Sequence, residues 1–152
     1  RLAGSEIESM SKRIFVLRSE DIRRRCQAAV WEADDNSRVV ISDEAKSRDQ
    51  EEKYHSMIGD ISKVALFMGG KRHQDDWKRL LVDAFAKAMR DAGTPLHHDG
   101  RVIPSLDFER VVQLGIQTKD FYKNEASQFI EYLYSYGVDC GVIWSDAKRD
   151  AA

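Results

Sequence analysis

Only two cysteines, Cys26 and Cys140, occur in the 152 residues. That is too few for a disulfide scaffold and points to a reduced, cytoplasmic setting. No apolar run approaches the length of a bilayer crossing, so no membrane segment is expected. The basic start, apolar stretch and small-residue cleavage site of a signal peptide are also missing. Strong charge of one sign is absent. The formal net charge is −2, which argues against a generally basic nucleic-acid binder. There is no Gly-x-Ser-x-Gly elbow, no phosphate-cradling Gly-x-x-x-x-Gly-Lys and no dinucleotide fingerprint. Neither cysteine sits in a Cys-x-x-Cys pair, and no His-x-x-x-His pair shares a helix face. Structural zinc, which needs four ligands at compatible spacing, is therefore not expected.

What is present fits an ordinary globular protein. Apolar residues make up 42% and charged residues 33%, enough to bury a core in one domain. Residues 1–9 precede the first methionine, Met10, and match no periodic pattern. They are set aside as upstream sequence, which leaves residues 10–152 as the domain. Charge is segregated. Residues 10–25 carry six Lys/Arg against two acids, and residues 26–45 carry five acids against one Arg. A local basic face can attract phosphate even on a slightly acidic molecule.

Periodicity predicts the elements. Arg13-Ile-Phe-Val-Leu-Arg18 and Arg38-Val-Val-Ile-Ser42 are β-branched runs that read as strands. Ser19 offers an N-cap, with Glu20 and Asp21 in the first turn. Ile22, Cys26, Ala29, Val30 and Ala33 then repeat at helical spacing. A second helix starts near Ser47, with Tyr54, Met57, Ile58, Ile61, Val64, Ala65 and Met68 as its stripe and Gly69-Gly70 as its stop. A third starts near His73, with Trp77, Leu80, Leu81, Ala84, Phe85 and Ala88 inward, and ends at Gly93 and Pro95. Arg101–Ile103 and Arg110–Ile116 read as strands. A fourth helix covers about Asp120 to Tyr136, with Gly137 as its stop. Two long helices in direct succession favour an α+β fold with short strands and about four helices over a doubly wound parallel sheet.

The candidate binding residues gather at helix starts, where free N–H groups and the dipole attract anions. Arg48, Gln50 and Lys53 lie at or near the start of the second helix. Arg48 supplies a forked cation, Lys53 a point charge and Gln50 a neutral donor and acceptor. Gln117, Thr118, Lys119 and Lys123 surround the start of the fourth helix. Tyr122 and Phe121 are aromatics suited to stacking bases, although Phe121 also suits a core. Trp144 lies outside any periodic stripe and is a candidate for stacking, for anchoring a partner or for pinning the terminus. Asp75-Asp76 and the loop His97-His98-Asp99 are the candidates for a divalent metal. Asp75-Asp76 is better explained as charge complementing a helix dipole.

Several short blocks form an ordered pattern: Asp49-Gln50 with Lys53-Tyr54, Gly59-Asp-Ile-Ser62, Trp77-Lys78, Gln117-Thr118, Gly137, and Gly141-Val-Ile-Trp-Ser-Asp146. In this order and spacing, from about Met10 to Ala147, the chain resembles the NinB/Orf recombination proteins of lambdoid phages. The resemblance implies a non-enzymatic recombination mediator in the cytoplasm of a bacterial host. It implies an intertwined homodimer with a ring-like, positively lined channel. The implied ligand is single-stranded DNA, preferred over duplex, and the implied partners are the host single-strand-binding protein and a strand-exchange protein. No cofactor or metal is implied. By the same carry-over Gln50, Lys53 and Lys119 lie near the DNA path, with Arg48, Gln117, Lys123 and Trp144 added from the residues themselves. Glu51 and Glu52 stand where the family has polar or basic residues. Two alternatives stay open: an adaptor for single-strand-binding protein that does not touch DNA, and a metal-dependent nuclease using Asp75, Asp76 or the His97 loop.

Overall fold

The structure is a computed structural model that describes residues 12–115 and 117–145. It contains four α-helices and one two-stranded antiparallel sheet, an α+β arrangement as expected. The chain divides into two compact units, Arg1–Ser42 and Asp43–Ala152.

In the first unit, helix α1 spans Glu20–Trp31, and Ser19 accepts from the Ile22 amide at 3.3 Å. Ile22, Cys26, Ala29 and Ala33 are half-buried along one face, but no residue of α1 is fully buried, and Trp31 is 91% exposed. Neither expected strand forms. Residues 13–18 and 38–42 carry no ladder, and Ile41 is 89% exposed. β-Branched composition expresses itself as a strand only where a neighbouring strand supplies hydrogen bonds and packing.

The second unit is built around three helices. Helix α2 spans Arg48–Val64. Its start is a full capping box: Ser47 Oγ accepts from the Gln50 amide at 3.1 Å, and Gln50 Oε1 accepts from the Ser47 amide at 2.9 Å. The helix ends at Val64, before the expected stop. Val64 and Met68 are exposed rather than part of the stripe, and Gly69-Gly70 shape a separate turn. Helix α3 spans Gln74–Asp91, with His73 Nδ1 accepting from the Asp75 amide at 3.2 Å. Gly93 adopts φ +79° beyond its end, the left-handed geometry that glycine takes without steric clash. The buried face is Trp77, Leu81, Val82, Phe85 and Ala86, whereas Ala88 faces outward.

Strands β1, Arg101–Pro104, and β2, Val111–Leu114, pair antiparallel with Arg101 opposite Leu114. A 3-10 turn over Thr118–Asp120 leads to helix α4, Lys123–Asp139. The fourth helix thus starts three residues later than expected. Residues 118–120 are wound more tightly, and Phe121 and Tyr122 are extended between the two.

The core lies where α2, α3 and α4 meet. Phe129 is central: its ring lies 5.1 Å from Phe85, 5.5 Å from Tyr54 and 5.5 Å from Phe121. Tilted and edge-on pairs of this kind contribute about 0.5–1.5 kcal/mol each beyond area burial. No described helix is long and apolar enough to cross a membrane.

Candidate nucleic-acid interface

Helices α2 and α4 start from the same end of the second unit. Gln50 joins them: its Nε2 donates to the Lys123 carbonyl at 3.0 Å and to Ser127 Oγ at 2.8 Å. The strand-like segment before α2 adds backbone bonds. Lys46 N donates to the Phe121 carbonyl at 3.2 Å, and Lys123 N donates to the Glu44 carbonyl at 2.8 Å. Lys46 Nζ reaches the Lys119 carbonyl at 3.1 Å and Glu51 at 3.5 Å. These links bring Gln50, Lys119 and Lys123 to one locus, with Arg48 next to the Ser47 cap. The Gln117 carbonyl accepts from the Asp120 amide at 3.1 Å in the turn before α4.

The electrostatics of this locus are mixed. Lys123 Nζ lies 3.4 Å from both Glu44 oxygens. Arg48 Nε lies 3.1 Å from Glu52. Among the described residues Lys119 has no ion-pair partner and is exposed. The locus therefore presents three cations with carboxylate neighbours, Lys46, Arg48 and Lys123, the unpaired Lys119, and two helix starts whose dipoles favour negative charge. Gln50 is committed to the capping box and to α4, so its main task here is structural.

The start of α4 is already supplied with an anion of its own. Glu125, almost fully buried, accepts from the Tyr122 amide at 2.9 Å and from the His97 amide at 2.9 Å. Its other contact is His97 Nδ1, at 2.5 Å. The His97 ring also stacks on Tyr122, 3.5 Å between centroids and 12° from parallel. One face of Tyr122 is thus covered, and Phe121 is buried in the core. Neither aromatic presents two free faces for a base.

Lys53 and Trp144 lie farther along the same helix pair. Lys53 Nζ stands 5.2 Å above the Tyr134 ring, and Trp144 meets Tyr134 edge-on at 5.3 Å. Trp144 also lies over Gly137. A Cβ on Gly137 would come within 2.3 Å of the indole. Gly137 is therefore not the stop of α4. It is an interior residue whose missing side chain lets Trp144 pack closely, and the stop falls at Gly141, φ +71°. Trp144 thus pins the segment after α4.

Asp60, on α2, completes that closure. Its carboxylate accepts from the Ser145 amide at 2.8 Å and from Ser145 Oγ at 2.5 Å, and Lys63 Nζ stands 3.2 Å away. Burial raises the Asp60 carboxyl, but the hydrogen bonds from Ser145 and Lys63 outweigh it and hold the group below the usual carboxylate range. Gly59-Asp60 and Trp144-Ser145 were legible as separate blocks; nothing in their spacing signalled that they bind each other. Asp146 lies outside the described residues.

His55 on α2 is held below the usual histidine range, first by burial and then by the Lys78 cation. Among the described residues no group of three or more His, Cys, Asp or Glu is placed to hold a metal. Of the nuclease candidates, Asp75 faces His73 at 3.6 Å, His97 meets Glu125 at 2.5 Å and Asp99 meets Arg90 at 2.5 Å.

The profile of the NinB family, described as NinB protein, matches residues 11–145. The chain belongs to the NinB family. It is 26% identical over 111 residues to protein ninB of Salmonella phage P22, covering 73% of this chain and 68% of that relative. Protein ninB of Escherichia phage lambda matches to the same extent. A solved NinB structure from structural genomics superposes with a TM-score of 0.54 at 25% identity, covering 93% of this chain and 95% of that one. The NinB match encloses the joined helix starts and the Asp60–Ser145 closure.

Proposed function

We propose that this NinB-family chain is a non-catalytic mediator of phage recombination. It binds single-stranded DNA and assists loading of a strand-exchange protein on DNA coated by the host single-strand-binding protein. The observation that carries this reading is the NinB match over residues 11–145, because the function was expected from the resemblance. The locus around Arg48, Lys119 and Lys123 supports it chemically. Phosphate contacts supply affinity there, whereas the preference for unpaired bases rests on membership of the NinB family. The protein acts as a homodimer. The broad exposed apolar surface supports that, because apolar patches of this kind mark association sites: Val102, Ile103, Leu106, Phe108 and Val111 on the hairpin and its tip are all uncovered.

The test is fluorescence anisotropy with labelled single-stranded and duplex oligonucleotides at two salt concentrations, with sedimentation for the dimer. Three phosphate contacts per protomer predict a log–log salt slope of about −2 per protomer on single strands. Preference for duplex, or no binding at low salt, overturns the reading. A second reading, an adaptor that engages single-strand-binding protein without DNA, is favoured by the carboxylates beside Lys123 and Arg48. Pull-down of that protein after nuclease digestion, with no oligonucleotide binding, would select it.

A further inference from the structure

The turn between α2 and α3 has an unusual backbone. Phe67 and Gly70 exchange two hydrogen bonds, at 2.9 and 3.2 Å. Both residues between them have positive φ, Met68 at 50° and Gly69 at 74°. That is the geometry of a type I′ turn, which favours Asn-Gly. Methionine in the first position is strained, because its Cβ crowds the backbone there. Met68 is nevertheless 83% exposed, so packing within the protein does not compensate. Backbone strain kept at an exposed position marks a site used outward.

The surroundings say what for. Leu66 and Phe67 are exposed beside Met68. Lys71 and Arg72 follow directly and are exposed. Among the described residues neither has a carboxylate within ion-pairing distance. Lys71 Nζ donates to the Lys63 carbonyl at 2.9 Å, which holds the ammonium at the base of the turn. An Arg72 guanidinium nitrogen lies 4.0 Å from the position a Cβ on Gly70 would take. The turn thus carries an exposed thioether and a partly exposed ring, which meets Trp77 edge-on at 6.4 Å. It is followed by two cations without a carboxylate partner among the described residues. The β1–β2 tip differs: its Arg110 faces Asp107 at 4.0 Å. Unpaired cations beside an aromatic fit an unpaired nucleic-acid strand better than a neutral protein face.

We infer that the Phe67–Gly70 turn is a second contact for single-stranded DNA. Phe67 and Met68 stack against unpaired bases, and Lys71 and Arg72 hold the adjoining phosphates. The inference rests on the single-strand reading above and adds a site to it. The turn lies past the far end of α2 from the Arg48–Lys123 locus. Seventeen helical residues at 1.5 Å each separate the two by about 25 Å. At stacked spacing a strand touching both spans on the order of seven nucleotides.

The test compares wild type with Met68→Gly and with Lys71→Glu/Arg72→Glu, using labelled oligothymidylate in anisotropy titrations. Glycine suits φ +50°, so Met68→Gly folds at least as well as wild type and its thermal midpoint verifies this. The expected result is a loss of about fivefold or more in affinity for Met68→Gly. The charge reversal should weaken binding further and flatten its salt dependence. Wild type that binds while both variants bind equally well overturns this site and leaves the broader reading intact. Wild type that binds no single strand overturns both. Unchanged DNA affinity with altered self-association would assign the turn to a protein contact instead.

Discussion

Ser145 donates both its backbone amide and its hydroxyl to the carboxylate of Asp60, 85 residues earlier in the chain. This closes the segment after α4 onto α2. Asp60→Asn replaces a charged acceptor by a neutral amide and is expected to destabilise by about 2 kcal/mol. The Asp60 carboxyl is depressed in the folded state, so its stabilisation is present above the unfolded value near 4 and lost as pH falls through the folded value. Denaturation of Asp60→Asn against pH should therefore show a flatter acid limb than wild type. An unchanged limb would remove Asp60 from the account.

Gly137 and Trp144 are fitted to each other. Gly137→Ala places a methyl within 2.3 Å of the indole and should destabilise by about 1–3 kcal/mol. In a Trp144→Ala background the same change should be neutral or stabilising, because alanine is the better helix former by about 1 kcal/mol. A double-mutant cycle by urea denaturation reads the difference, and additive effects would contradict the packing argument.

The Tyr54 hydroxyl is fully buried, and among the described residues no group reaches hydrogen-bond geometry with it, although Thr118 and Glu51 stand close enough to act on its ionisation. Burial pushes its pKa up to about 12, Glu51 adds to the rise, and the Thr118 hydroxyl pulls the other way. A raised folded value means stability is intact below about pH 10 and falls between pH 10 and 12. Tyr54→Phe should abolish that alkaline loss. It should also raise stability at neutral pH by about 1 kcal/mol, since an unsatisfied polar group is removed. Thermal denaturation at pH 7 and pH 11 checks both.

Glu44 and Glu52 stand beside Lys123 and Arg48. If the joined helix starts lie on the DNA path, Glu44→Gln and Glu52→Gln should each strengthen single-strand binding by about two- to threefold at low salt. The gain should vanish at high salt, where exposed charges are screened. Anisotropy that stays flat for both variants would move the DNA path away from this locus.

The helices were legible in the sequence because their signals are local. Ser19, Ser47 and Gly93 act within one turn of the residues they cap. The Arg101–Leu114 hairpin was legible for the same reason, since its strands are close in sequence. Residues 13–18 and 38–42 misled because β-branched composition carries no information about whether a partner strand exists. In the site, each cation was visible but its neighbour was not. Glu44 lies 79 residues from Lys123, and Gln50 lies 77 from Ser127. Spacing rules reach only three or four residues along a helix.

Met68 sets fold against use. Replacing it with glycine relaxes the turn and is worth about 0.5–1 kcal/mol. A library randomised at this codon and sorted for heat resistance would drift toward glycine and asparagine. The same library sorted for phage recombinants would hold on to a large apolar side chain. Two enrichments diverging at one position would mark the turn as a working part.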